Sequence, residues 1–180
     1  MNTYERQKLV EVVLYILNKT SGLDYYHLFK VMYFAEREHL ASWGDRITAD
    51  EFHALPHGPA PTLLYDTIKK KERSDDFSRL LWGAVEFAGG DAPYVLLPKR
   101  APDMRYISAS EEGALDKSTE ENAKRLFGEL KAMSHDEAWK SASKRKPKVI
   151  LHLDMAKAAD ATDATVAYIQ EQQAIDRALA

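Results

Sequence analysis

The 180-residue chain contains no cysteine. That absence excludes a disulfide framework, thiolate zinc sites and cysteine nucleophiles. Net charge is small: 25 Lys and Arg stand against 28 Asp and Glu, a formal net of −3. No global field therefore draws the protein to nucleic acid or to an acidic membrane. Long hydrophobic runs are also missing. The most apolar stretch, residues 25–35, carries His27 and Lys30 and falls short of the roughly 18 residues a membrane span needs. Residues 1–8 mix Glu5 with Arg6 and Lys8, and no small-residue cleavage site follows the apolar run after them. This predicts no export leader and a cytoplasmic address. Catalytic signatures are lacking too: the serines form no Gly-x-Ser-x-Gly elbow, and Gly89-Gly90 is not followed by the residues of a phosphate-cradling loop.

What is present reads as an ordinary globular domain, 45% hydrophobic and 29% charged. Leu9, Val12, Val13, Ile16 and Leu17 recur at helical spacing, and Ser21-Gly22 ends that helix. Asp24 stands where an N-cap belongs, so a second helix should run over 25–42 until Trp43-Gly44-Asp45 turns the chain. Its first eleven residues are apolar nearly all round, which places it at the centre of the domain. A short strand is expected within 47–55. The stretch His57-Gly58-Pro59-Ala60-Pro61 is expected to be irregular, because its two prolines remove backbone donors. Pro61 then opens a helix over 62–71.

Residues 80–88, 94–97 and 105–107, separated by turn residues, predict a small antiparallel meander. Three Ser-x-x-Glu boxes, at Ser108, Ser118 and Ser134, each mark a helix start. Leu126, Phe127 and Leu130 supply the buried face of the longest of those helices. Residues 162–179 are Ala-rich and predict a helix on the surface or against a partner. The expected fold is α+β, mainly α: a helical domain over 1–148 with a small antiparallel β-meander in its middle third. Residues 149–180 form a helical C-terminal extension packed on that domain.

Lys30, Tyr33 and Arg37 fall at i, i+3 and i+7 of the second helix and share one face. Cations in such surroundings form an internal ion-pair network with carboxylates such as Glu36, Glu51 or Asp66, or they present a recognition surface. His53 and His57 are four apart, but Pro56, Gly58 and Pro59 argue against the helix that would make them metal ligands together with His39. The run Lys144-Arg145-Lys146-Pro147-Lys148 reads as a solvated loop, with phosphate contact as the other reading.

The segments Lys30-Val31-Met32-Tyr33-Phe34-Ala35-Glu36-Arg37-Glu38-His39-Leu40, Trp43-Gly44-Asp45-Arg46-Ile47-Thr48-Ala49-Asp50 and His57-Gly58-Pro59-Ala60-Pro61 resemble, in order and spacing, the signature of the SocA-like antitoxin family, or Panacea domain. Ser134-His135 with Trp139 resembles the Ser-His element and Trp found late in that domain. Ala49 departs from the pattern, which commonly has Gly there. The resemblance implies a non-enzymatic antitoxin of a type II-like toxin–antitoxin system, often carried on phage-related elements. Such a protein neutralises a cognate protein toxin by direct binding and needs neither cofactor nor metal. Tyr33, Arg37, Trp43 and Tyr65 are the candidate anchors for that partner, followed by Lys30 and His57 from the motif itself. A homo-oligomer remains open. A DNA-associated phage or operon regulator and a metal-dependent hydrolase using His53 and His57 stand as the alternatives.

Overall fold

Capping residues set the two long helices. In the computed structural model, which describes residues 1–71 and 74–179, α1 (Thr3–Thr20) opens on a reciprocal box between Asn2 and Glu5 and closes on Ser21 at φ 55°. α2 (Tyr25–Trp43) opens on Asp24, whose carboxylate accepts from the amides of Tyr26 and His27, and ends at Gly44 with φ 71°. As its apolar composition predicts, α2 is the central element. Leu28, Val31, Tyr33 and Ala35 have no exposed surface, and each large side chain so buried contributes about 1.5–3 kcal/mol. Around α2 pack α5 (Ala109–Asn122), α8 (His152–Ala158) and α6 (Phe127–Ser134).

Two small antiparallel sheets flank this bundle. One pairs β2 (Phe52–Leu55) with β3 (Gly58–Pro61), so the stretch expected to be irregular is a strand. The register explains why its prolines are tolerated. Ala54 donates to Lys148 O, and Ile150 donates to Phe52 O. The residues opposite Pro59 and Pro61 thus turn their polar groups away from β3, and the ladder asks neither proline for a donor. α3 (Thr62–Lys70) follows directly, with Pro61 as its N-cap.

The second sheet has the order β1-β5-β4, from β1 (Leu23–Asp24), β5 (Ala92–Pro98) and β4 (Val85–Gly89). A meander is present, but its third strand comes from Leu23–Asp24. Residues 105 and 106 belong instead to a 3₁₀ turn at Met104–Tyr106, capped by Asp103 and followed by Ile107 as its C-cap. Residues 80–84 are helical as well. α4 (Asp76–Ala84) is nucleated by a reciprocal box between Asp75 and Ser78, and Phe77, Leu81 and Ala84 bury one face.

Of the three serine boxes, Ser108 caps α5 as expected. Ser118 lies inside α5 and donates to Val31 O on α2. Ser134 ends α6, and α7 (Glu137–Ser143) is capped by Asp136, whose carboxylate accepts from Trp139 N. A carboxylate is the stronger acceptor for a helix N-terminus. α6 is only eight residues long; Leu130 is buried, whereas Leu126 precedes the helix at 71% exposure and Phe127 is 48% exposed. α9 (Asp163–Leu179) lies across the end of α2, with Tyr168 against Gly44 and Ile169 buried. Ala49 has no positive φ, so its position here has no need of glycine.

Candidate functional site

The N-terminal half of α2, the β2–β3 turn, α3, β5 and the start of α6 enclose a cavity of 460 Å³. Lys30 is 2% exposed and lines it. Its ammonium donates to Pro59 O at 2.6 Å and lies 4.9 Å from the centre of the Tyr26 ring. Burial, with no carboxylate to offset it, pulls the Lys30 ammonium down to about 7. Gly58, at φ 99°, lets the turn come close: a Cβ there would stand 2.8 Å from Lys30 Nζ and 2.6 Å from Ser134 Oγ. Only glycine fits such a position. The walls are aromatic. Tyr25 meets Tyr94 edge-on at 5.9 Å, Phe29 approaches Tyr65 at 6.0 Å, and Phe127 lies 4.2 Å from Tyr26 and 5.8 Å from His57. His57 is exposed, Tyr65 is half-buried, and Lys69 donates to Tyr25 OH at 2.9 Å.

Lys30, His57 and Tyr65 therefore come together, whereas Tyr33 and Arg37 lie elsewhere. Tyr33 is fully buried and donates to both carboxylate oxygens of Asp136, at 3.0 and 2.8 Å. Arg37 donates to the same carboxylate at 2.5 Å and to Ala158 O at 2.9 Å. The pair forms an internal network that ties α2 to the start of α7 and the end of α8. Its acceptor, Asp136, is not among the carboxylates expected, Glu36, Glu51 and Asp66. Trp43 stands apart at the end of α2, 62% exposed, its ring 6.5 Å from that of His39.

Three stretches more than 20 residues apart converge behind the cavity. Lys30 holds Pro59, Ser134 abuts Gly58, and His135 stacks flat on Trp139 at 3.7 Å while Trp139 donates to Leu55 O. The family model described as antitoxin SocA-like, Panacea domain, matches residues 28–140. The chain belongs to that family. Comparison with curated proteins and with solved structures returned no match. The residues through which the sequence resembles the SocA-like signature are thus largely those that close α2 onto the β2–β3 turn.

The SocA-like domain groups its histidines differently from a metal centre. His39 bonds Asp45 O and Ser110, His53 sits beside Glu51, and His57 faces the cavity. Among the described residues no three His, Asp or Glu side chains are placed to hold an ion. None of the described helices is long and apolar enough to cross a membrane. In the basic run, Arg145 pairs with Asp154 at 2.8 Å. Sequence reasoning missed Tyr25, Tyr94, Lys69 and Phe127 as cavity residues. The one available signal was composition: Tyr25, Tyr65 and Tyr94 lie in separate segments together with Phe127, and amphipathic rings of this kind often line a binding surface.

Proposed function

We propose that this SocA-like protein is a non-enzymatic antitoxin that acts in the cytoplasm and neutralises a cognate protein toxin by direct binding. The observation that carries this reading, beside family membership, is the aromatic mouth of the cavity. Tyr94 and Phe127 are 62% and 48% exposed, and Leu126, at 71%, is the residue next to Phe127. Exposed rings grouped around a pocket are the usual anchors of a protein interface. His57 and Tyr65 contribute to that face from the β2–β3 turn and α3. Trp43 offers a separate contact at the other end of α2. Lys30 lies too deep for a flat surface to reach, and Tyr33 and Arg37 act on the partner through the position of α7. Residues 149–180 serve as an extension packed on the same domain.

The test is co-expression with the toxin encoded beside it. The native chain should restore growth and elute with the toxin as a stoichiometric complex. Tyr94→Ala with Phe127→Ala should lose both while keeping the melting transition. Rescue without complex formation, or a complex indifferent to these two rings, defeats the reading.

A further inference from the structure

Lys30 poses a problem that the described residues do not solve. A buried ammonium costs several kcal/mol unless it is paired, yet its contacts are one carbonyl and one ring face. Lys69, at the same cavity, is also without a carboxylate among the described residues and spends its ammonium on Tyr25 OH. The carboxylate on the wall, Asp24, is already committed: Oδ1 accepts from the amides of Tyr26 and His27, and Oδ2 lies 2.6 Å from His27 Nδ1. The cavity is thus lined by aromatic rings and carries unmatched positive charge at its floor and rim.

We propose that this cavity binds an organic carboxylate carried on an apolar, ring-sized body. The carboxylate pairs with Lys30, and the body lies between Tyr65, Tyr94 and Phe127. A cation is repelled by both lysines, and a neutral ligand leaves Lys30 unpaired. Phosphate is disfavoured because it asks for several convergent donors. Here no arginine among the described residues lines the cavity, and Asp24 already occupies the first amides of α2. A volume of 460 Å³ suits a small organic molecule or one or two inserted side chains. The carboxylate chemistry stands on the geometry alone. That its source is an acidic side chain of the toxin, and not a free carboxylic acid, rests on the function proposed above.

The probe is 4-phenylbutyrate, with 4-phenylbutanamide as its neutral counterpart. Both are titrated into the full chain and followed by calorimetry and by amide and aromatic NMR shifts. The acid should bind at least about tenfold more tightly than the amide and shift signals of Tyr25, His57, Tyr65 and Tyr94. Lys30→Met, which replaces the buried cation by an apolar chain of similar length, should erase the preference while melting cooperatively at a temperature no lower than the native chain. Equal affinities, a preference that survives Lys30→Met, shifts confined to other surfaces, or binding of neither probe each overturn the proposal. The acid–amide comparison on the native chain stands even if the variant fails to fold. Displacement of bound phenylbutyrate by the toxin assigns the carboxylate to the toxin, whereas simultaneous binding assigns it to a free acid. A toxin that does not bind the protein at all counts against the proposed function and leaves the probe result intact.

Discussion

The two halves of α2 treat buried charge in opposite ways. At its middle, Tyr33 and Arg37 share the Asp136 carboxylate and Arg37 also reaches Ala158 O. One turn earlier, Lys30 has a carbonyl, a ring face and an open cavity. The side chains lie on one stripe of one helix, so local sequence does not separate them. What separates them is whether a carboxylate arrives from about a hundred residues away. Where it arrives the charge becomes structure, and where it does not the charge remains available to a ligand.

Removing the arriving carboxylate should turn the middle of α2 into a second version of its N-terminal half, and this is the largest effect expected. Asp136→Ala strips the cap from α7, leaves the buried Tyr33 OH without its acceptor and leaves the half-buried Arg37 guanidinium with only the carbonyl of Ala158. Breaking a buried pair in this way costs about 3–5 kcal/mol, read as a lower midpoint in urea denaturation. A loss below about 1 kcal/mol would mean that the network is incidental and that the contrast between the halves is false.

The converse change removes the charge that has no partner. Lys30→Met should stabilise the fold by roughly 3 kcal/mol near pH 6, within the range seen when buried ions give way to apolar side chains. The native chain also carries a pH signature. Its Lys30 ammonium lies at about 7 against an ordinary 10.5, so between those values the unfolded chain binds more protons and native stability rises with pH. Lys30→Met should remove that rise from a series of melts between pH 7 and 10.

Glu36 sharpens the comparison from the acidic side. It is fully buried, and burial pushes its carboxyl up to about 7 despite Arg46 and the amides of Thr48 and Ile47. The folded chain keeps a proton that the unfolded chain has lost, so stability falls as pH rises from 4.5 to 7. Glu36→Gln should flatten that fall and leave the protein more stable by about 2 kcal/mol at pH 8. An unchanged slope would show that Arg46 neutralises Glu36 as fully as Asp136 neutralises Arg37.

Most of the local structure was legible in the sequence, because helix starts and stops are written within four residues of where they act. Asp24, Ser108, Ser21 and Gly44 all do what their chemistry predicts. The misread segments are those in which two local signals compete. Ser134-x-x-Glu137 promised a cap, but the Asp136 carboxylate took it. Residues 80–84 carry strand-like apolar density, but Asp75 and Ser78 nucleate a helix just before them. The prolines of β3 argue against a strand locally, but Phe52 and Ala54 opposite them direct their bonds outward, to Ile150 and Lys148. The candidate site was half legible. Lys30 and His57 from the family motif and Tyr65 from the expected anchors do meet, whereas the partner of Arg37 and the walls formed by Tyr94 and Phe127 depend on tertiary placement that no local pattern encodes.

The smallest effects test whether the end of α2 follows the same rule, and two adjacent residues there should respond differently. Gly44 is held at φ 71°, and a Cβ would stand 2.5 Å from the Tyr168 ring. Gly44→Ala should therefore cost about 1 kcal/mol or more through backbone strain and loosen α9, read as faster amide exchange along that helix. Trp43, one position earlier, is 62% exposed and meets His39 only at 6.5 Å. Trp43→Ala should leave stability within about 0.5 kcal/mol. A large exposed ring that the fold does not use is the counterpart, in an apolar residue, of a lysine that the fold does not pair. If Trp43→Ala instead destabilises as much as Gly44→Ala, the ring is packing against α2 or α9 and does not serve as a surface for the toxin.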